Sequence, residues 1–572
     1  MSTLSTQRDL KRGQYSQVSR ETIEMSVRTS TELLPFPNPG ERELPPFDEA
    51  LSTRKRCQRG LVLSYLLSIT LIICGIVSYV YVNRARNRAE AYRLNYPTDR
   101  EDAVSGPVLD AEIFYPTLIV GKLSTGPKEV VTLAFNTIVT MVTECLGYVH
   151  SVSLRWALYH ESRLHHNSSL RLFTSSRNSP PNSCYANVIW ALLLTLCYSC
   201  ASQILLTVDN QDDTLGFNSL AILLLGACLF MLSLLTTWTL LPPYGQQILS
   251  WNSDPLNTTL ALLHETWSKP DTRPASIPII KQPSIRTMHP RTRLILAYLC
   301  LLVPIICTGG AVLIYANREN GTDWAFINSN QDMAFISVVP ASAGVLTQPV
   351  FWQAGPAIQI FFLAAIQVLY TLALHTVEQL VNLHRDEASW RAASKLDSQH
   401  GAVVGRESTK AAFTAWQTVS LSIVKPVSHW LFGLSFVVEP SRRVTIHPMP
   451  LFALAGIDVL LASFAIVLMY HRPRGAQPAT YGDLKMLAEF VDDWGDGAGG
   501  RLFWGDKGED HDEGGSVRRA GTSSSVQLVN GIGMDGASYK GIGGGPQKER
   551  PRRKAPAPWK RFTCRRRGDD RI

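Results

Sequence analysis

One long apolar run carries six polar residues at helical spacing. Gln367, Thr371, His375, Glu378, Asn382 and Arg385 are separated by four, four, three, four and three positions. On a helix of 3.6 residues per turn they form a single stripe. Carboxylates and imidazoles placed inside such a run can exchange protons or hold an ion. His375 and Glu378 at i, i+3 also set two metal-ligand types on one face, as di-metal helix bundles do. Those bundles need several such motifs, and no second one occurs. G-x-S-x-G, H-E-x-x-H and P-loop patterns are missing too, which argues against an enzyme. No catalytic, metal or cofactor-binding residue is assigned, and no cofactor is implied.

A second apolar run repeats the device. Thr132, Asn136, Thr140 and Thr143 form a stripe that Glu144 adjoins. Counting about 1.5 Å of rise per residue, Glu144 and Glu378 fall near one end of their helices, with His375 a turn deeper. Lys425 and Asp458 come out near mid-membrane. The expectation is therefore two polar layers: an inner one joining Glu144, His375 and Glu378, and a middle one pairing Lys425 with Asp458. Pairing is expected because a lone charge in hydrocarbon is costly. Gln367 completes the candidate polar site. Such groups serve either transport and proton relay or helix–helix adhesion, where each hydrogen bond contributes about 0.6 kcal/mol.

The elements that must position these residues are membrane spans. The 572-residue chain is 45% hydrophobic and 18% charged, split between very apolar blocks and polar ends. A span needs about 20 mostly apolar residues. Runs near 60–82, 130–149, 188–207, 219–241, 294–316, 357–381, 416–438 and 450–470 qualify, the seventh weakened by Lys425, Pro426 and His429. The fold class is an all-α polytopic transmembrane helix bundle of seven to eight spans. Lys and Arg gather in alternate loops, as in Arg155, Arg163, Arg171 and Arg177 against the acidic "VDNQDDTLGFN". By the positive-inside rule both termini are cytoplasmic. The sequons at Asn167 and Asn257 then lie on the cytoplasmic side, where they are chance matches. Span lengths suit a plasma membrane slightly better than internal ones.

Residues 1–59, rich in Ser, Thr and Pro, read as a disordered tail; they lack the apolar stretch of a signal peptide. Residues 471–494 read as a short amphipathic helix, with Leu484, Leu487, Val491 and Trp494 at helical spacing. Residues 495–572 read as a disordered Gly-rich tail with a polybasic end. "GIGMDG" lacks the strand–turn–helix context of a dinucleotide site, and "DDWGDG" lacks the closing Glu of a calcium loop. "CYSC", Cys197 to Cys200, has no second pair and reads as two small apolar side chains rather than a zinc site. The net charge of +8 suits an anionic membrane surface better than nucleic acid. Arg552, Arg553, Lys554, Lys560, Arg561, Arg565, Arg566 and Arg567 form a candidate site for anionic lipids, with a solvated basic tail as the alternative.

The segments "TECLGYVHSVSLRWALYHESRL", "LRLFTSSRNSPPN", "WNSDPLNTTLA", "LHTVEQLVNLHRDEASW" and "LFWGDK" resemble those of large uncharacterised multi-pass membrane proteins of filamentous fungi, from about Phe114 to Lys507. The resemblance implies membrane residence and brings no activity, cofactor or substrate. Two functions stay open: a transporter-like or sensor-like bundle with a polar interior, or a membrane scaffold or receptor acting through its tails. A cleft reaching His375 and Glu378 from one side favours the first; a closed bundle favours the second.

Overall fold

The structure, a computed structural model, describes residues 53–95, 117–122, 124–167, 172–209, 214–265, 277–278, 283–289, 292–316, 335–337, 349–397, 401–403, 415–438, 443–473, 477–491, 500–509, 518–532 and 538–540. These residues are mostly helical, and seven helices are long and apolar enough to cross a membrane. They are α1 (Thr53–Asn95), α2 (Thr125–His160), α3 (Cys184–Ser202), α4 (Ser219–Leu240), α6 (Thr292–Ala316), α7 (Pro349–Leu383) and α10 (Pro448–Tyr470). Short helices α5 (Pro255–Glu265) and α11 (Leu484–Phe490) lie outside these runs, whereas α8 (Glu387–Ala393) is the end of the sixth, which extends from Ala357 to Ala393. Polar caps mark several starts. Ser183 accepts from the Ala186 N–H at α3, and Asn218 accepts from the Ala221 N–H at α4, each satisfying an otherwise orphaned donor.

The seventh run of the sequence forms α9 (Trp416–Ser435), 20 residues with Pro426 inside. It is too polar to count among the seven, yet it runs antiparallel to α2 for its whole length. Near its start Thr418 and Leu421 line one cavity with Tyr148 and Arg155, from the end of α2. Near its finish Trp430 Nε1 donates to Glu129 Oε2 at 2.9 Å, at the beginning of α2. Gly433 backs onto Ser202, where a Cβ would approach the Ser202 Cβ to 2.5 Å.

Strands cap both ends of the bundle. At one end β1 (Thr117–Lys122), β3 (Thr214–Asn218) and β2 (Leu205–Asp209) form an antiparallel sheet in the order β1-β3-β2. A second sheet runs β5-β8-β7, from β5 (Phe335–Ser337), β8 (Arg443–Ile446) and β7 (Phe436–Val438). At the opposite end a five-stranded sheet has the order β4-β11-β10-β9-β6. Its members are β4 (Ile277–Pro278), β6 (Ala402–Val403), β9 (Arg501–Glu509), β10 (Arg518–Ser523) and β11 (Ser538–Lys540).

Several sequence expectations need correction. Residues 53–59 are not tail but the first turns of α1, held because Cys57 packs with Val149 and Trp251. Residues 188–207 are not all helix: α3 ends at Ser202 and the chain turns into β2, as Phe436–Val438 turns into β7 after α9. The C-terminal region expected to lack structure builds most of the five-stranded sheet. Leu502, Trp504, Ala520 and Tyr539 bury in one core with Trp156, Trp390, Leu487 and Phe490. The segment "LFWGD" is buried at every position, so it shows no alternation for a sequence reading to detect. In α11 Leu484, Leu487, Ala488, Glu489 and Phe490 are buried, so that helix belongs to this core rather than to a surface. Trp494, the tail before Thr53 and the polybasic lipid-binding candidates lie outside the described residues.

Candidate functional site

The stripe on α7 points inward as its spacing predicts. Gln367, Thr371 and His375 are 0%, 3% and 5% exposed, and apolar residues such as Phe361 and Leu369 occupy the exposed face. Lys425 on α9 reaches across to it. Its Nζ donates to Glu144 Oε1 at 2.7 Å and to Glu378 Oε2 at 2.9 Å. His375 Nδ1 lies 2.8 Å from the same Glu378 oxygen. The inner layer of Glu144, His375 and Glu378 thus assembles around a built-in ammonium. Charges withdrawn from water survive only with such pairing and hydrogen bonding.

The expected Lys425–Asp458 pair does not form. Helical side chains lean toward their helix N-terminus, and on α9 that is the end holding Glu144 and Glu378. A long, flexible Lys therefore works at a different depth from its Cα. Asp458 on α10 is fully buried, and neither carboxyl oxygen has a hydrogen-bond partner among the described residues.

Gln367 belongs to a separate network. Its Oε1 accepts from Ser199 Oγ at 2.5 Å and its Nε2 lies 3.0 Å from His429 Nδ1. The His429 ring stacks on Tyr198 with centroids 3.7 Å apart, and Tyr198 Oη is 3.1 Å from Thr143 Oγ1. The α2 stripe is buried as expected, but its hydroxyls bond mainly to their own helix: Thr132 to Lys128 O, Thr140 to Asn136 O and Thr143 to Val139 O. Ser199 and Tyr198 were not legible as members. An apolar helix such as α3 gives no periodic polar signal from two residues.

A cavity of about 480 Å³ opens onto the Lys425 cluster. Glu144, Glu378 and Lys425 line it, and so do Arg56, Arg155 and Arg385. Asn382, one turn beyond Glu378 on the same stripe, lies between them in sequence. Glu144, His375 and Glu378 also offer three ligand atoms within 4.8 Å of one another. Lys425 Nζ is already hydrogen-bonded to two of those residues, so a cation occupies the cluster and a divalent metal would have to displace it.

Beyond the cavity the chain is stitched by carboxylates. Asp386 Oδ2 accepts from Thr480 Oγ1 and from the Gly482 N–H at 2.8 Å. Trp390 Nε1 donates to Thr480 Oγ1 at 2.9 Å. Glu161 accepts from Ser176 Oγ at 2.5 Å and from the N–H groups of Arg177 and Asn178. Burial works against the Glu161 charge, but these bonds, with Arg163, hold its carboxyl below the ordinary value. Burial, then the neighbouring His166, pushes His289 down to about 4, while Asp483 opposes it. Burial pushes Asp483 itself up. The sequons do not present their amides: Asn167 and Asn257 are buried, and Asn167 Nδ2 donates to Ser253 O at 2.8 Å.

Compared with known proteins, the chain matches no family model, no curated protein and no solved structure.

Proposed function

We propose that the chain is a polytopic integral membrane protein that admits a polar solute to a cleft between α1, α2, α7 and α9, acting as a transporter or sensor. The observation that carries this reading is the cavity of about 480 Å³ reaching Glu144, Glu378 and Lys425. A protein whose buried charges served adhesion alone would gain nothing from space beside them. Membrane residence is supported by apolar side chains left outside the packing. Val77 is 62% exposed, Leu294 71% and Leu460 68%, a distribution that a bilayer accommodates and water does not. With α9 as an eighth crossing, both termini fall on the side of the five-stranded sheet, which the charge alternation assigns to the cytoplasm of a cell, most simply at its plasma membrane.

Cys145 lines the cavity beside Glu144, which gives a direct test. In a variant keeping Cys145 and lacking the other nine of the ten cysteines, a small water-soluble thiol reagent is expected to modify Cys145 in native membranes. Reaction only after denaturation would mean that the cleft is closed to water. Adhesion would then be the better account of the polar cluster.

A further inference from the structure

The geometry points to a seat for a phosphate group between Arg155 and Arg385, which both line the same cavity. Arg155 is 5% exposed, in the last turns of α2. Its Nη1 donates only to neutral acceptors, Asn252 O at 3.2 Å and Thr258 Oγ1 at 3.5 Å, and its Nε has no partner among the described residues. Arg385 is similarly served, by Ser253 Oγ at 3.2 Å. Among the described residues neither guanidinium makes an ion pair. The cavity's two carboxylates, Glu144 and Glu378, are engaged by Lys425.

Among the described residues, these two guanidiniums therefore line one cavity without an ion-pair partner, while its carboxylates are taken up by Lys425. Burying a cation without a partner is costly, and a neutral carbonyl recovers only part of that cost. Guanidinium forks match the oxygens of an oxyanion in pairs. Two of them balance a phosphate monoester, which carries about −1.5 to −2 at neutral pH. A route in exists: Met141 and Ser422, which also line the cavity, are exposed at its α2–α9 side. The group can come from free phosphate or from the headgroup of a phosphatidate lipid entering along that side.

The inference rests on the open cleft proposed above, and its failure is distinguishable from the failure of that reading because Cys145 modification is read without any anion. The test uses the full chain in detergent at constant ionic strength, with thermal unfolding followed against inorganic phosphate and, separately, short-chain phosphatidate. Acetate serves as the weak-anion control. At least one phosphate probe is expected to raise the unfolding temperature. Arg385→Gln should raise the half-effective concentration at least about tenfold, and Arg155→Lys, which keeps the charge and loses the fork, should do likewise. Arg391→Gln, at a guanidinium already paired with Glu387, should leave it unchanged. Stabilisation by phosphatidate alone identifies the lipid as the source; stabilisation by both identifies the phosphate group itself. No stabilisation by either probe, or equal curves for Arg385→Gln and Arg391→Gln, overturns the proposal even where Cys145 reacts.

Discussion

Lys425 gathers side chains from two other helices to one point, since α2 supplies Glu144 and α7 supplies Glu378 with His375 behind it. Removing the ammonium leaves two carboxylates facing each other. Lys425→Met should cost about 3 kcal/mol, toward the low end for a broken buried pair because Glu144 keeps 32% exposure. Adding Glu144→Gln and Glu378→Gln to that variant should restore most of the loss, because a neutral cluster has nothing to repel. Asp458→Asn should behave differently and change stability by less than about 1 kcal/mol, since no ion pair holds that carboxylate. Thermal unfolding in detergent reads all three; a large loss in Asp458→Asn alone would restore the pairing first expected from the sequence. That expectation failed for a specific reason. Periodicity fixes the face on which a residue sits, and the two stripes were legible for that reason. It does not fix where the end of a flexible side chain comes to rest.

The elements differ in how clearly the sequence announces them. Seven runs are apolar over enough length to stand out by composition, whereas α9 is recognised by its bonds to α2, Lys425 to Glu144 and Trp430 to Glu129. The C-terminal strands were hidden by their glycines and charges, and pack in a core to which remote segments contribute Trp156 and Trp390. Close approach between α1 and α4 depends on paired glycines. A Cβ at Gly75 would stand 2.8 Å from Leu223 backbone atoms, and one at Gly226 would stand 2.8 Å from Ile72 N. The crossing lets Ser64 Oγ meet Ser233 Oγ at 2.8 Å and Tyr65 Oη meet Thr237 Oγ1 at 2.8 Å, a pattern of small residues that membrane helices use to associate. Gly226→Leu should force α1 away and lower stability by about 1–3 kcal/mol. A disulfide engineered from Ser64→Cys and Ser233→Cys should form readily in the parent and poorly in that variant, as read by gel mobility.

At the scale of the whole molecule, the helical bundle and the sheet-bearing core meet where residues 165–167 run beside 481–484. The Asn167 N–H donates to Gly482 O at 2.8 Å and the Leu484 N–H to His165 O at 3.1 Å. His289 packs its ring edge-on to His166 there, centroids 4.5 Å apart. Its folded-state value is about 4 against an ordinary 6.5, so the unfolded chain takes up this proton first. Stability from the junction should therefore fall as the pH drops from 6.5 toward 4. Glu161, held low, adds a loss of the same sign once the pH passes below its ordinary 4.5. Asp483, shifted upward, opposes the trend, because its folded form binds a proton more readily than its unfolded one. Amide protection factors in 481–491, corrected for the intrinsic exchange rate at each pH, should fall as the pH drops from 6.5 to 4.5, and His289→Phe should flatten the dependence; equal protection factors across that range would show that His289 does not govern the junction.

The run from Ala357 to Ala393 serves both territories. Its middle holds Glu378 against Lys425, and its last turns insert Trp390 into the core beside Trp504 with ring centroids 5.2 Å apart. Twelve residues separate them, across the turn at 384–386. The turn between α7 and α8 is pinned by Asp386 to Thr480 and Gly482, so it cannot slacken without breaking those bonds. The same short turn thus joins the helix that carries the cluster to the helix that carries Trp390, and Asp386 ties both to residues 480–482.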